Sequence, residues 1–164
     1  MNILSIYSRQ KKLKYFFKNV PKLACILEVG SGTGFVGKYL KKNGWSNYTS
    51  IDLISPADYV GDIRNWEKLG LKESSFDIIV AFEVLEHGDF LKEFRELLKP
   101  GGLLFITTPV PQMDWLLKFL EDIGLNQKRT SVHNNLICIK NISGFKTLRY
   151  KSIFGLAQWG IYKK

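Results

Sequence analysis

The chain has 164 residues, 45% hydrophobic and 24% charged, and a formal net charge of +9. That length suits one domain with a sizeable core, and no apolar run reaches the ~20 residues of a membrane-spanning helix. The charges of the first twenty residues are interleaved with apolar ones and no small-residue cleavage site follows, so they do not make a secretory signal, and the expectation is a single cytoplasmic domain over residues 1–164.

The charge is unevenly placed. Residues 1–22 carry six basic side chains and no acidic one, residues 23–110 nine basic and twelve acidic, and residues 111–164 nine basic and three acidic. Basic ends around a slightly acidic middle fit either plain solubility or an acidic partner: nucleic acid, a phosphorylated metabolite or an anionic membrane surface. Cys25 and Cys138 stand singly in apolar surroundings, lack metal-type spacing and read as buried thiols.

Leu13, Phe16, Phe17 and Val20 recur at i, i+3, i+4 and i+7. They predict a basic amphipathic helix within residues 1–20, stopped by Pro21, that packs on the domain or covers a site. Residues 23–29 predict a strand that runs into Glu28-Val29-Gly30-Ser31-Gly32-Thr33-Gly34. Glycine at every second position permits unusual φ angles and close approach of a ligand to bare backbone. A helix over Phe35 to Asn43 follows, with Phe35, Val36, Tyr39 and Leu40 as its apolar stripe and Gly44 as its C-cap. Strand, glycine turn and helix N-terminus together form a nucleotide-site pattern of α/β proteins.

Further strands are expected over Tyr48 to Leu53, ending at Asp52, over Asp58 to Ile63, holding Asp62, and over the strongly apolar Phe76 to Phe82. Phe90 to Leu98 predicts a helix, Lys99-Pro100-Gly101-Gly102 a turn and Leu103 to Thr108 a fifth strand. Met113 to Ile123 reads as a helix stopped by Gly124, and Phe145 to Phe154 with Ala157 to Lys163 as a hairpin joined at Gly155. Strand and helix alternate about five times before that hairpin. The fold class is therefore α/β: a single doubly wound, mostly parallel sheet with a C-terminal antiparallel hairpin.

Two dinucleotide readings compete for the glycine turn. Gly30-x-Gly32 would need glycine or alanine at position 35, where Phe35 stands. Gly32-x-Gly34-x-x-Gly37 fits the pattern formally, but its first glycine lies two residues beyond the expected turn.

From residue 23 to the C-terminus the chain resembles the class I S-adenosylmethionine-dependent methyltransferases. The resemblance rests on six motifs in order: the glycine turn with Glu28, Ile51-Asp52, Gly61-Asp62-Ile63, Phe76-Asp77-Ile78-Ile79-Val80, Glu83-Val84-Leu85-Glu86-His87, and Leu97-Leu98-Lys99-Pro100-Gly101-Gly102. It implies a Rossmann-like fold with S-adenosylmethionine as cofactor. It further implies that Gly30, Ser31, Gly32 and Gly34 let backbone approach the methionine part, with Glu28 organising the turn and meeting the ammonium. Asp52, followed by Leu53, would accept from the ribose hydroxyls, Asp62 and Ile63 would meet the adenine, and Phe82 and Glu83 would border the methyl. Taken singly, Asp52 and Asp62 also read as ordinary capping aspartates.

Methyl transfer to oxygen or carbon needs the acceptor deprotonated, by a base or beside a metal. His87 and His133 are the two histidines. Glu83-x-x-Glu86-His87 resembles a pattern of two metal-using groups, the ubiquinone-biosynthesis O-methyltransferases and the small-RNA 3′-end 2′-O-methyltransferases. Glu83, His87 and His133 are thus the catalytic candidates, with Mg²⁺ as an additional cofactor and no metal ligand set assigned. The same pair in metal-free relatives merely fixes the loop after the strand. The expected acceptor is an oxygen of a small or anionic molecule, bound at the C-terminal edge of the sheet under a cover formed by residues 1–20 and 109–144. A quinol-type or RNA hydroxyl, or a non-catalytic cofactor-binding subunit, is the alternative.

Overall fold

Successive side chains of a strand point to opposite faces, so the continuous apolar runs of the central strands bury side chains on both faces of one sheet. A computed structural model describes residues 3–111 and 137–164. Its elements are α1 (Ile3–Phe17), β1 (Ile26–Val29), α2 (Phe35–Lys42), β2 (Tyr48–Asp52), β3 (Tyr59–Val60), β4 (Phe76–Phe82), α3 (Leu91–Leu97), β5 (Leu98–Pro109), β6 (Lys146–Ile153) and β7 (Ala157–Lys163), with 3₁₀ turns at 63–65 and 85–87.

The strand order is β3-β2-β1-β4-β5-β7-β6. β1 to β5 pair in parallel, and β7 runs antiparallel between β5 and β6. The order reverses between β1 and β4, and a crevice opens outside the carboxyl ends of strands at such a switch point. The expected doubly wound sheet with a terminal hairpin is therefore present.

On β4, Ile78, Val80 and Phe82 join a cluster with Leu13, Phe16 and Phe17 of α1 and Val36 and Leu40 of α2. Ile79 and Ala81 join the opposite cluster, under Phe94 and Leu97 of α3. Each fully buried side chain of this size contributes about 1.5–3 kcal/mol. Aromatic contacts fasten α1: the Phe16 ring lies 4.8 Å from Phe82 and 5.3 Å from Phe105. Asp77 ties the sheet's lower end, accepting from the Cys25 N–H at 2.8 Å and pairing with Lys99 at 2.8 Å.

Several expectations shift. β1 starts at Ile26 instead of residue 23, because Ala24 N–H closes a turn onto the Pro21 carbonyl and Leu23 is left 81% exposed. The third strand shrinks to Tyr59–Val60, and Ile63 passes into a 3₁₀ turn capped by Asp62. The Lys99–Gly102 turn is absorbed as an irregularity of β5: Phe76 pairs with Leu98, and Ile78 then pairs with Leu103. No α-helix stands between β2 and β3 or between β3 and β4, so the alternation of strand and helix is less regular than expected. Cys138 is exposed and Cys25 half-buried, against the expectation of two buried thiols. The helix expected at Met113–Ile123, His133 and most of the 109–144 cover lie outside the described residues.

Candidate functional site

The glycine turn leaves β1 at the carboxyl edge of the sheet. Gly30, Gly32 and Gly34 all take left-handed φ angles, +70°, +48° and +68°. Such angles strain any residue with a Cβ. A Cβ on Gly30 would also come within 2.7 Å of Val84, whereas beside Gly32 and Gly34 no atom of the described residues lies within 4 Å. Among the described residues, two of the three glycines thus leave their backbone bare. Ser31, between Gly30 and Gly32, is buried, and its hydroxyl has no hydrogen-bond partner among the described residues. An unmet buried hydroxyl is costly, and a polar ligand over the turn would satisfy it.

Beneath the turn, Glu28 is 2% exposed and accepts from the Tyr48 hydroxyl. Gly37 permits this arrangement, since a Cβ there would meet the Tyr48 ring at 2.7 Å. The glycine that completed a formal dinucleotide pattern is therefore explained by helix packing on β2. Burial pushes the Glu28 carboxyl up to about 8, with the Tyr48 bond opposing and the Asp52 charge adding to the rise.

Asp52 ends β2, with one oxygen accepting from the Gly32 N–H at 2.7 Å and the other from Ile54 N–H at 3.2 Å. Leu53 and Ile54, each 70% exposed, stand beside it as an apolar wall. Asp62 is differently engaged. It caps the 3₁₀ turn and holds Arg64 through Nε at 3.0 Å and a terminal nitrogen at 2.7 Å, and that pairing keeps its carboxyl below the usual range.

At the end of β4, Glu83 takes a left-handed φ of +57°, which a non-glycine residue adopts at a cost of about 1 kcal/mol or more. Its Oε1 accepts from Lys12 Nζ at 2.9 Å and from the Thr107 hydroxyl at 2.7 Å. Lys12 also donates to Thr107 at 3.2 Å, so α1 reaches across the edge to the ends of β4 and β5. Glu86 is 1% exposed and accepts from Thr108 at 3.3 Å. Burial, then the neighbouring Glu83 charge, pushes Glu86 up to about 8. His87 is exposed.

The fold thus brings Glu28, the glycine turn, Asp52, Phe82 and Glu83 to one edge, with Asp62 bound to Arg64 beside them. Sequence reasoning missed Lys12, Tyr48, Arg64, Thr107 and Thr108. Only Lys12 had a local signal, its place on the flank of the apolar stripe of α1.

Residues 6–148 match a family model described as methyltransferase domain. The chain belongs to this family, the class I S-adenosylmethionine-dependent methyltransferases. Among curated relatives, the methyltransferase is 31% identical over 123 residues to a ubiquinone biosynthesis O-methyltransferase of Bradyrhizobium diazoefficiens, a match covering 62% of this chain and 48% of the relative. The chain spans about half the length of the curated relatives it matches. Its fold is shared with a Pyrococcus horikoshii protein, at a TM-score of 0.66 and 18% identity over 99% of this chain and 92% of the other. It is likewise shared with an S-adenosylmethionine-dependent methyltransferase from Mesorhizobium loti, at a TM-score of 0.61 and 17% identity over 94% of this chain and 96% of that one.

The family cofactor fits this site by the chemistry of its donors. The bare turn, the orphan Ser31 hydroxyl and a carboxylate at the end of β2 suit a ligand with a polar amino-acid end and a vicinal diol. The two raised carboxyls have a measurable consequence. An unfolded glutamate releases its proton near 4.5, whereas folded Glu28 and Glu86 hold theirs to about 8. The folded state then binds more protons between those values, so stability falls as pH rises across that window and levels off above it. The melting temperature is expected to drop between about pH 5 and about pH 8, and Glu28→Gln to remove part of that slope, on the order of 1–3 kcal/mol. A Glu28→Gln variant with the parent's slope would assign the slope elsewhere.

Proposed function

We propose that this chain binds S-adenosylmethionine over the Gly30–Gly34 turn and passes its methyl to an oxygen of a small or anionic acceptor at the edge of β4 and β5. The observation that carries the reading is the buried Ser31 hydroxyl, unpartnered among the described residues, in a turn where Gly32 and Gly34 have no described neighbour within 4 Å. The curated relatives named ubiquinone biosynthesis O-methyltransferase support oxygen as the nucleophile.

The bound cofactor supplies an electrophilic methyl on a sulfonium. This chain's part is alignment, charge and exclusion of water. Asp52 turns its carboxylate to the ribose hydroxyls while keeping the Gly32 N–H in place. Leu53 and Ile54 offer an apolar wall to the adenine, and the Ile63 backbone lies beyond Asp62. Glu28 supports the turn from below and would meet the ammonium, directly or through water. Glu83, held by Lys12 and Thr107, would border the methyl group.

The described donors do not form a divalent-ion site. Among the described residues no three histidine, cysteine, aspartate or glutamate side chains gather as a metal site. The Lys12 ammonium, 2.9 Å from Glu83, stands where a cation on that carboxylate would sit. Acceptor deprotonation then falls to a side chain, with Glu83 and His87 the described candidates and His133 the third.

Titration calorimetry with S-adenosylmethionine and with NAD tests the reading. Heat is expected from the first alone, and none from it would sink the proposal. With an acceptor panel, turnover should survive dialysis against EDTA; loss that Mg²⁺ restores would bring the metal back. Binding without turnover on any acceptor would make the chain a cofactor-binding subunit.

A further inference from the structure

The two basic ends of the sequence, far apart along the chain, meet on one face of the sheet. α1 lies across β5 and β7, with the Tyr15 ring 5.3 Å and the Phe16 ring 5.9 Å from Trp159. β6 borders the same face: Arg149 is opposite Ile161 and Lys151 opposite Trp159, and cross-strand partners share a face. Lys14 is exposed on the helix, Lys18 in the turn just after it, and Arg149 and Lys151 on the strand. Residues 1–22 and 137–164 hold six basic side chains each and no acidic one. Between helix and strand runs an open groove of about 170 Å³ floored by Phe16, Phe105 and Ile161.

Apolar side chains project from this basic region. Leu148 lines the groove, stands at a register shift of β6 and is 45% exposed. Phe154, at the hairpin tip, is 92% exposed and holds a left-handed φ of +51°. A bulky residue in that conformation with no packing inside the fold is an outlier that points outward to a role.

We propose that the face formed by α1 and β6 docks on an anionic phospholipid bilayer. The lysines and arginine of the rim suit lipid phosphates, each basic side chain near such a surface adding to the attraction. Leu148 and Phe154 decide between polyanions: a nucleic acid backbone would meet the cations but leave both apolar side chains in water, whereas the interfacial zone of a bilayer takes up both kinds of group. The tip also stands at the carboxyl edge of the sheet, since Ala157 beside it pairs with Pro109 at the end of β5. Docking there would hold the candidate acceptor edge against the lipid. The proposal does not depend on the methyltransferase reading.

Sedimentation of the full chain with vesicles tests it. The chain should sediment with vesicles of phosphatidylcholine and phosphatidylglycerol in equal parts, fail to do so with phosphatidylcholine alone, and detach as salt is raised. Lys18→Glu and Arg149→Glu should each weaken binding about fivefold or more. Phe154→Asn, which tolerates the left-handed backbone, should weaken it while leaving the salt response intact. Circular dichroism and S-adenosylmethionine calorimetry report whether each variant remains folded, independently of lipid. Equal sedimentation with both vesicle types, indifference to the three substitutions, or a shift of polyuridylate RNA without vesicle binding would each overturn the proposal.

Discussion

Asp52→Ala should weaken S-adenosylmethionine binding by about 100- to 1000-fold in calorimetry. Two hydrogen bonds from ribose hydroxyls to a carboxylate, at about 1.5–3 kcal/mol each, give a loss of roughly 3–4 kcal/mol after partial replacement by water. The substitution acts twice, because Asp52 also accepts from the Gly32 N–H at 2.7 Å and so holds the glycine turn open. Asp52→Asn separates the two effects. Its amide oxygen can still accept from Gly32, so the turn persists while the charge is lost, and a weakening of about tenfold is expected. An Asp52→Ala protein that bound within threefold of the parent would remove Asp52 from the site. Both variants should keep the parent's melting temperature within a few degrees, since Asp52 is only half-buried at a strand end.

Gly160→Ala carries the largest expected cost in stability. The Tyr162 ring folds back over Gly160, and an added Cβ would fall among the phenol's own atoms. Tyr162 is fully buried, and its hydroxyl donates to the Ile139 carbonyl, fastening the segment that leads into β6. The ring must leave its site, so the loss combines an emptied cavity with an unmet buried carbonyl, about 3–5 kcal/mol. For a domain of this size that lowers the melting temperature by roughly 10 °C. Tyr162→Phe removes only the hydrogen bond and should cost about 1–2 kcal/mol. The double change Gly160→Ala with Tyr162→Ala should be no worse than Tyr162→Ala alone, because the clash disappears with the ring. Full additivity of the two would mean that Gly160 matters for another reason.

The legible parts of this protein share a local cause. β4 was readable because Ile78 to Phe82 is a continuous apolar run, as a strand buried on both faces must be. β7 was readable to the residue, Ala157 to Lys163, because turn signals bound it at one end. The glycine turn was readable because left-handed backbone at three alternate positions leaves glycine as the unstrained choice. The third strand and the Lys99–Gly102 turn were misjudged in extent, because pairing partners outside the segment decide where a ladder stops. Cys138 was judged by its apolar neighbours Ile137 and Ile139, but the chain there runs irregularly into a turn, and Cys138 is exposed while Ile139 is buried.

The sequence by itself determined the α/β class, the glycine turn and the family, because apolar periodicity and alternate glycines are chosen by local backbone. Tertiary structure decided the pairings. Lys12 meets Glu83 across 71 positions and Tyr48 meets Glu28 across 20, and neither separation has a sequence signature. The merging of two basic termini into one face is of the same kind. Charge along a chain is one-dimensional, and only packing α1 against β5 and β7 turns two separated runs into a surface.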